Sequence, residues 1–276
     1  MSKTALKYRE MISDARRIVV KIGSRVLVQK SGRPDVRRMR CLVKEISAMR
    51  RTGRDVVIVS SGAVGAGMET LGMKTRPTAL PDIQMAAAVG QIRLICSYHD
   101  FFKAERCKIG QVLLTHDDFE HKLRLANARR TMENLLRNDV VPIVNENDVV
   151  ADEELRAELK KFGDNDVLAA LVAKVIRADL LIMLTTVNGV IQTDTGNRSR
   201  RVSLIKHISR ALLRSVDKTK GSDLSVGGMS SKLRAAQDAT KAGCNVVIAN
   251  GRETGVIMRI LTERDVGTFI PARPLT

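Results

Sequence analysis

The chain has 276 residues, of which 44% are hydrophobic, and its formal net charge at pH 7 is +17. A chain of this length can bury about 75% of the surface that it exposes when unfolded, so one large domain or two closely packed lobes are possible. Its longest apolar stretch starts at Leu180, is interrupted by polar residues and Gly189, and falls short of the roughly 20 residues of a membrane span. Residues 1–17 mix acids with bases and have no apolar core, so we expect no signal peptide.

The positive charge suggests an anionic partner, which could be a phosphorylated small molecule, a nucleic acid or a membrane surface. The basic residues form short clusters such as "RPDVRRMR" and "NRSRR", and aromatic residues make up only 3% of the chain. This is too few for the base-stacking surfaces of single-strand-binding proteins, and no zinc-finger or RNP-type motif is present. A solvated basic surface is the simpler interpretation, and we expect neither a nucleic-acid nor a membrane partner.

Cysteine and histidine usage indicates a reduced protein without a metal centre. The cysteines lie far apart without the paired spacing of metal ligands, and they are Cys41, Cys96, Cys107 and Cys244. We therefore expect free thiols in a cytoplasmic protein. The histidines lie in no recognisable catalytic motif, and no protein metal ligand is predicted.

Short apolar segments alternate with segments of helical period along the chain. Strands are predicted at "RIVVKIG", "DVVIVS", "KIGQVLLT", "VVPIVNEND", "DLLIMLTT", "NVVIAN" and "GTFI". Helices are predicted around residues 35–53, after "SSGAVGAG", over residues 82–106, 119–139 and 165–178, from the loop at residue 225 through Ala242, and at "TGVIMRILT". Residues 188–220 are predicted to be a charged, hairpin-like stretch.

Strands that are apolar on both faces and separated by helices indicate a mostly parallel sheet that is covered on both sides. The predicted fold class is therefore α/β, a three-layer α/β/α sandwich with a mostly parallel central sheet. Neither an internal repeat nor a Pro-rich linker divides the chain. We predict one domain over residues 16–272, preceded by an N-terminal tail of residues 1–15.

Ligands of such sheets bind at the carboxyl ends of the strands, near helix N-termini. This rule selects the segments "KIGS" (21–24), "SSGAVGAG" (60–67), "NEND" (145–148), "TTVNG" (185–189) and "SVGGMSSKLRAA" (225–236). The last segment is not a Walker A loop, because Lys232 follows Ser231 rather than a glycine. Lys21 and Lys232 could nevertheless both neutralise a phosphate. The start of the helix after "SSGAVGAG" could bind an anion, although helix–strand packing explains Gly65 and Gly67 equally well.

Two clusters of acids and amides, "NEND" and "GDND" (163–166), could hold an ammonium group, orient a lysine or bind a metal. Helix capping by Asp164 or Asn165 is the simpler role of the second cluster. Capping needs only one of these residues, and the excess of Asp and Asn near the predicted lysines fits an ion-pair network that sets the lysine geometry.

Eight segments, taken together and in this order, resemble the amino acid kinase family over about residues 16–270. They are "VVKIGS", "VIVSSGAVGAG", "AAAVGQIRLI", "GQVLLT", "NARRTMENLL", "VPIVNENDVV", "GDNDVLAALVA" and "GGMSSKLRAA". The resemblance implies the amino acid kinase fold and ATP and Mg²⁺ as cofactors. It is strongest to the branch that phosphorylates the side-chain carboxylate of L-glutamate to L-glutamyl 5-phosphate, the first step of proline synthesis.

The resemblance also implies roles for individual residues. Lys21 and Lys232 would neutralise the transferred phosphoryl group, and Asp166 would orient them. The implied glutamate-binding residues are Ser61, Gly62, Ala63, Asn145, Asp148 and Asn165. The implied nucleotide-binding residues are Lys21, Thr185, Thr186, Val226, Gly227, Gly228, Met229, Ser230, Ser231 and Lys232. The Mg²⁺ ion is expected between the ATP phosphates, held by phosphate oxygens and water.

The sequence departs from the family pattern at two nucleotide-side positions. Thr186 stands where bacterial members usually have an aspartate, and Val226 where many have a threonine, so base or ribose selectivity could differ. The similarity ends before the C-terminal PUA domain that many bacterial members have. A homo-oligomer, dimeric or tetrameric, and functional coupling to glutamyl phosphate reductase are further expectations from the resemblance.

Two alternatives remain open. The chain could be a kinase for another small carboxylate, such as N-acetylglutamate or aspartate, or a basic nucleic-acid-binding protein without catalysis. Recognition of a free amine by Asp148 would favour glutamate over its acetylated form. The low aromatic content opposes the nucleic-acid alternative.

Overall fold

The computed structural model describes residues 10–29, 34–150, 165–193, 198–218, 228–262 and 265–273. Residues 17–146 form β1 (Arg17–Ile22), α1 (Val36–Arg51), β2 (Asp55–Ser60), α2 (Ala63–Thr70), α3 (Leu80–Ala104), β3 (Lys108–Leu114), α4 (His116–Glu120), α5 (Lys122–Arg137) and β4 (Val140–Glu146). Residues 165–270 form α6 (Asn165–Val175), β5 (Leu180–Thr185), β6 (Ile191–Thr193), β7 (Ser199–Arg201), α7 (Arg210–Lys218), α8 (Met229–Lys241), β8 (Asn245–Asn250), α9 (Val256–Leu261) and β9 (Thr268–Ile270).

The chain divides into two compact units. The first unit is Ile22–Leu159, and the second unit combines Met1–Lys21 with Lys160–Thr276. Within the described ranges, no helix is both long enough and apolar enough to cross a membrane.

The first unit contains the strands β3, β4 and β2, in that spatial order and all parallel. Its core consists of β-branched and other apolar side chains from both faces of β2 and β4, as expected for strands covered on both sides. Ile58 lies opposite Ile143, and Val59 lies opposite Val144. The next residues along the two strands, Ser60 at the end of β2 and Asn145 one residue before the end of β4, therefore lie at the same level.

The second unit contains β1, β5, β8 and β9 in spatial order. Strands β5 and β8 run parallel, with Thr185 opposite Asn250 at their carboxyl ends, whereas β9 runs antiparallel to β8. Strands β6 and β7 form a separate antiparallel pair. The prediction of an α/β fold with a mostly parallel sheet and flanking helices is confirmed.

Local signals account for the ends of several helices. The Asp35 side chain caps α1 by accepting a hydrogen bond from the Arg38 amide at 2.9 Å. After α1 the chain reverses at Gly53 with φ +81°, the left-handed conformation predicted for a glycine at this helix end. Pro81 lies in the first turn of α3, where its missing N–H breaks no helical hydrogen bond.

Two segments differ from their predictions. The helix expected over residues 119–139 is divided between α4 and α5, because His121 adopts an extended conformation with ψ 109°. A capping box between Thr115 and Asp118 starts α4 before the predicted position. The stretch of residues 188–220 contains the expected hairpin, but it also contains α7, whose first turn is capped by the Ser209 hydroxyl.

Residues 10–13, in the segment predicted to be a tail, form a helical turn. The side chains of Ile12 and Ala15 are buried. The apolar residues of this segment therefore belong to the hydrophobic core of the second unit.

Helices α2 and α3 approach so closely that two glycines are required. A Cβ atom on Gly67 would lie 1.7 Å from the Ala86 carbonyl oxygen, and a Cβ atom on Gly90 would lie 1.8 Å from the Ala63 carbonyl oxygen. The obstacle is backbone in both cases, so no side-chain rotation can relieve the overlap. This contact fixes the start of α2 against the middle of α3.

We expect Gly90→Ala to destabilise the protein by about 1–3 kcal/mol or more, because the two helices must separate to admit the methyl group. The matched control is Gly65→Ala in α2, where a Cβ atom meets nothing within 4 Å. That variant should be neutral or more stable by about 0.5–1 kcal/mol, since alanine favours a helix over glycine. Urea unfolding of both variants measures the difference, and equal midpoints would contradict the tight packing.

Candidate active site

Three charged side chains meet inside the second unit. Lys21 is the penultimate residue of β1, Asp166 is the second residue of α6, and Lys232 is the fourth residue of α8. Lys21 Nζ lies 2.7 Å from Asp166 Oδ1, and Lys232 Nζ donates a hydrogen bond of 2.9 Å to Asp166 Oδ2. The structure therefore brings together the three predicted catalytic residues, which we call the lysine–aspartate cluster.

The lysine–aspartate cluster is buried. The exposed fractions are 2% for Lys21, 0% for Asp166 and 7% for Lys232. Removing a charge from water is costly, so buried charges occur in pairs or bind an ion. The ammonium groups of Lys21 and Lys232, which converge on Asp166, could also contact an anion beside the cluster. Asp166 is itself favoured at the N-terminus of α6, where the helix dipole attracts negative charge.

The helix that contains Lys232 begins at the predicted phosphate loop. Gly228 is the N-cap of α8 in an extended conformation, and among the described residues no side chain caps the first turn. The amides of Met229, Ser230 and Ser231 lie in that turn, which is the part of a helix that attracts anions. Two predicted nucleotide-binding residues, Val226 and Gly227, lie outside the described residues.

The predicted nucleotide residues of β5 lie at the end of that strand. Thr185 and Thr186 are half-buried, and the Thr185 carbonyl accepts a hydrogen bond of 2.7 Å from the Gly251 amide beyond β8. A polar cavity lies close to the end of β5. It is lined by residues that the sequence did not single out. They include the ion pairs Arg201–Asp265 and Arg259–Glu253, each at 2.8 Å, and the hydrogen-bonded pair Asn188–Asn250.

Most of the predicted acceptor residues lie in the first unit, at the ends of β2 and β4. Ser61, Gly62 and Ala63 connect β2 to α2, and Gly62 adopts φ +112°, which residues with a side chain rarely adopt. Asn145 is 3% exposed near the end of β4, and Asp148 follows that strand half-buried. The remaining predicted residue, Asn165, is instead the first residue of α6 in the second unit.

Two side chains of α3 contact these strand ends, and the sequence singled out neither of them. The Tyr98 hydroxyl lies 2.9 Å from the Ser60 hydroxyl, and the Asn145 amide donates a hydrogen bond of 2.8 Å to Gln91 Oε1. Burial raises the pKa of the Tyr98 phenol far above its ordinary value. The hydrogen bond with Ser60 lowers this pKa, but by a smaller amount. The phenol therefore keeps its proton. In the sequence, the only indication of a role for these two residues was that Gln91 lies inside the segment "AAAVGQIRLI".

The described residues contain no group of three or more His, Cys, Asp or Glu that could hold a metal ion. Asp166 is already in contact with two ammonium groups, so its carboxylate is poorly suited to ligate a cation as well. The donor set of the cluster, two cationic nitrogens and one engaged carboxylate, fits a phosphate group and not a bare metal ion.

Comparison with known proteins identifies the family. The model of the amino acid kinase family matches residues 16–250. A relative named glutamate 5-kinase from Lactiplantibacillus plantarum is 44% identical over 257 residues, covering 92% of this chain and 96% of the relative. A glutamate 5-kinase from Marinomonas sp. is 42% identical over 267 residues, covering 96% of this chain and 70% of the relative.

Solved structures show the same fold at low sequence identity. The carbamate kinase of Giardia lamblia bound to AMP-PNP has a TM-score of 0.62 at 18% identity, covering 94% of this chain and 99% of that one. The UMP kinase of Bacillus anthracis has a TM-score of 0.58 at 15% identity, with coverages of 94% and 96%. The buried lysine–aspartate cluster, the family match over most of the chain and relatives at more than 40% identity lead to one conclusion: the chain belongs to the amino acid kinase family.

Proposed function

We propose that this amino acid kinase transfers the γ-phosphoryl group of ATP to the side-chain carboxylate of L-glutamate, forming L-glutamyl 5-phosphate. The observation that supports phosphoryl transfer is the buried lysine–aspartate cluster, which brings two ammonium groups to one carboxylate. The choice of glutamate is supported by relatives named glutamate 5-kinase, which match nearly the whole chain at 42–44% identity.

The reaction needs charge neutralisation more than proton transfer. A glutamate side chain has an ordinary pKa of about 4.3, so it is a carboxylate at neutral pH and needs no general base. Its oxygen forms a bond to the γ-phosphorus while the bond from that phosphorus to the bridging oxygen breaks, and ADP leaves. Two anions must approach each other in this step. Lys21 and Lys232 would reduce their repulsion and stabilise charge on the phosphoryl oxygens.

Asp166 would hold both ammonium groups in place without contacting the phosphate. Each of its oxygens engages one lysine, so the carboxylate sets the positions of the two lysine nitrogens before ATP binds. Preorganised charges of this kind need little rearrangement during the reaction. The Mg²⁺ ion would enter with ATP, and when bound it would neutralise part of the charge of the phosphates.

The other site residues keep the roles that the family resemblance implies. Free amides in the first turn of a helix favour phosphate, so the start of α8 would bind the nucleotide through Gly228 to Ser231. In the first unit, the peptide at Ser61–Gly62 and the side chains of Asn145 and Asp148 would bind the amino acid.

The acyl phosphate product hydrolyses readily in water, and its proposed consumer is glutamyl phosphate reductase. We also propose a homo-oligomer.

An acceptor comparison tests the proposed function directly. In the presence of ATP, Mg²⁺ and hydroxylamine, we expect hydroxamate from glutamate and little from aspartate or N-acetylglutamate, because the acyl phosphate is trapped as it forms. Omission of ATP is the control. If the protein phosphorylates N-acetylglutamate or aspartate in preference to glutamate, that compound is the acceptor. Absence of ATP turnover with all three compounds would contradict kinase activity.

We expect Lys232→Ala to lower kcat by roughly 10²–10³, the usual effect of removing one preorganised donor from a developing charge. Lys241→Ala is the matched control, because Lys241 lies on the same helix with a side chain that is 70% exposed. Circular dichroism verifies that both variants are folded. An unchanged kcat in Lys232→Ala would contradict the role of this lysine.

Asp148→Ala should raise the KM for glutamate by roughly 10- to 100-fold and leave the KM for ATP unchanged, since a charge-assisted hydrogen bond to the amino group would be lost. Asp100→Ala, an exposed carboxylate on α3, serves as the control. A selective increase in the KM for ATP would show that Asp148 belongs to the nucleotide side.

A further inference from the structure

We propose that α3 positions the acceptor-binding groups of the first unit, with Tyr98 fixing the peptide that follows β2 and Gln91 fixing the side chain of Asn145 near the end of β4. Neither residue would touch the substrate. Both are positioning residues for a small amino acid that offers a carboxylate and an ammonium group. The proposal rests on the proposed function, because it assigns these strand ends to the acceptor.

The geometry of α3 allows one helix to serve both strands. Gln91 and Tyr98 are seven residues apart, so they lie on the same face of α3, about two turns from each other. Their partners, Asn145 and Ser60, lie at the same level of two neighbouring parallel strands. The two hydrogen bonds therefore connect one rigid helix to two adjacent strand ends.

The direction of the hydrogen bonds at β2 follows from proton counting. The Ser60 hydroxyl donates to the Ser61 carbonyl at 3.2 Å. A serine hydroxyl has one proton, so in its contact with Ser60 the Tyr98 phenol is the donor. The phenol remains protonated at any physiological pH because burial raises its pKa. The result is an ordered relay from Tyr98 through Ser60 to the Ser61 carbonyl.

This relay orients the peptide that is proposed to bind the acceptor. The Ser61 carbonyl and the Gly62 amide belong to one trans peptide, in which C=O and N–H point in opposite directions. Because the relay draws the carbonyl towards Ser60, the Gly62 amide points the other way. Gly62 tolerates the required backbone conformation, φ +112°. An amide held in this direction is a preorganised donor for a carboxylate.

Gln91 acts in the same way on β4. It accepts a hydrogen bond from Asn145 Nδ2, and this decides which end of the Asn145 amide faces α3. The Oδ1 atom lies on the opposite side of that amide group and is an acceptor, suited to an ammonium group and unsuited to a second carboxylate. Asn145 is 3% exposed, so water could not supply the hydrogen bonds that an amide group turned the wrong way would lose.

The contact between α2 and α3 makes the arrangement of α3 and the two strand ends rigid. Gly90, next to Gln91, brings the α3 backbone against the Ala63 carbonyl at the start of α2. The same helix therefore contacts the segment after β2 through its backbone at Gly90 and reaches the end of β2 through Tyr98. Small displacements of α3 would be transmitted to the start of α2, because the contact of Gly90 with the Ala63 carbonyl is between backbone atoms.

Tyr98→Phe tests the proposal because it deletes the hydroxyl and retains the ring that stacks on Phe102. We expect the KM for the acceptor to rise roughly two- to tenfold, the range for loss of one hydrogen bond, with the KM for ATP unchanged. Ser97→Ala is the matched control. It removes a hydroxyl from the adjacent residue of α3, but that hydroxyl bonds to the Arg93 carbonyl of the same helix.

Two further variants make the test specific. Gln91→Met, which removes the acceptor at similar size, should also raise the acceptor KM alone. Ser60→Ala should have the effect of Tyr98→Phe, and the double variant should be no worse than either, because both interrupt one relay. Additive effects would overturn the relay. An unchanged acceptor KM, or parallel increases for the acceptor and ATP together with a lower melting temperature, would overturn the positioning role.

The acceptor in these measurements is the one that the unmodified chain phosphorylates among glutamate, aspartate and N-acetylglutamate. A chain that uses aspartate would therefore refute the choice of glutamate while the positioning role is still measured. Absence of turnover with every acceptor in the unmodified chain would overturn both proposals.

Discussion

The buried contact of one carboxylate with two lysines is the interaction on which the phosphate side of this protein depends. Lys21, Asp166 and Lys232 come from β1, α6 and α8, so the cluster exists only when these three elements are folded together. Breaking a buried pair typically costs about 3–5 kcal/mol.

The proposed acceptor side contains a different set of contacts. Ser60 and Asn145 lie at the same level of two parallel strands, and α3 contacts both through Tyr98 and Gln91. The glycines at the contact of α2 and α3 permit the close approach that makes this arrangement stiff. In the proposed function, the second unit would therefore prepare its binding groups by charge and the first unit by polar positioning.

The chemistry of carboxylate phosphorylation suits both kinds of site. The nucleophile is ionised before it binds, so precise placement and charge compensation replace acid–base catalysis. This agrees with a sequence whose histidines lie outside any catalytic motif. The overall charge of +17 has no explanation in the site itself, because the cluster accounts for only a small part of it.

The sequence by itself determined the α/β class, most strand positions and the residues of the lysine–aspartate cluster, because apolar periodicity, glycine turns and family-like segments are local signals. It placed α4 and α5 in one helix and missed α7, since the backbone at His121 and the cap at Ser209 are single-residue effects. The family resemblance already implied that Asp166 orients both lysines, whereas the tertiary structure alone decided that Tyr98 contacts Ser60 and that Gln91 contacts Asn145. Partners distant in sequence meet only through packing, which no local pattern encodes.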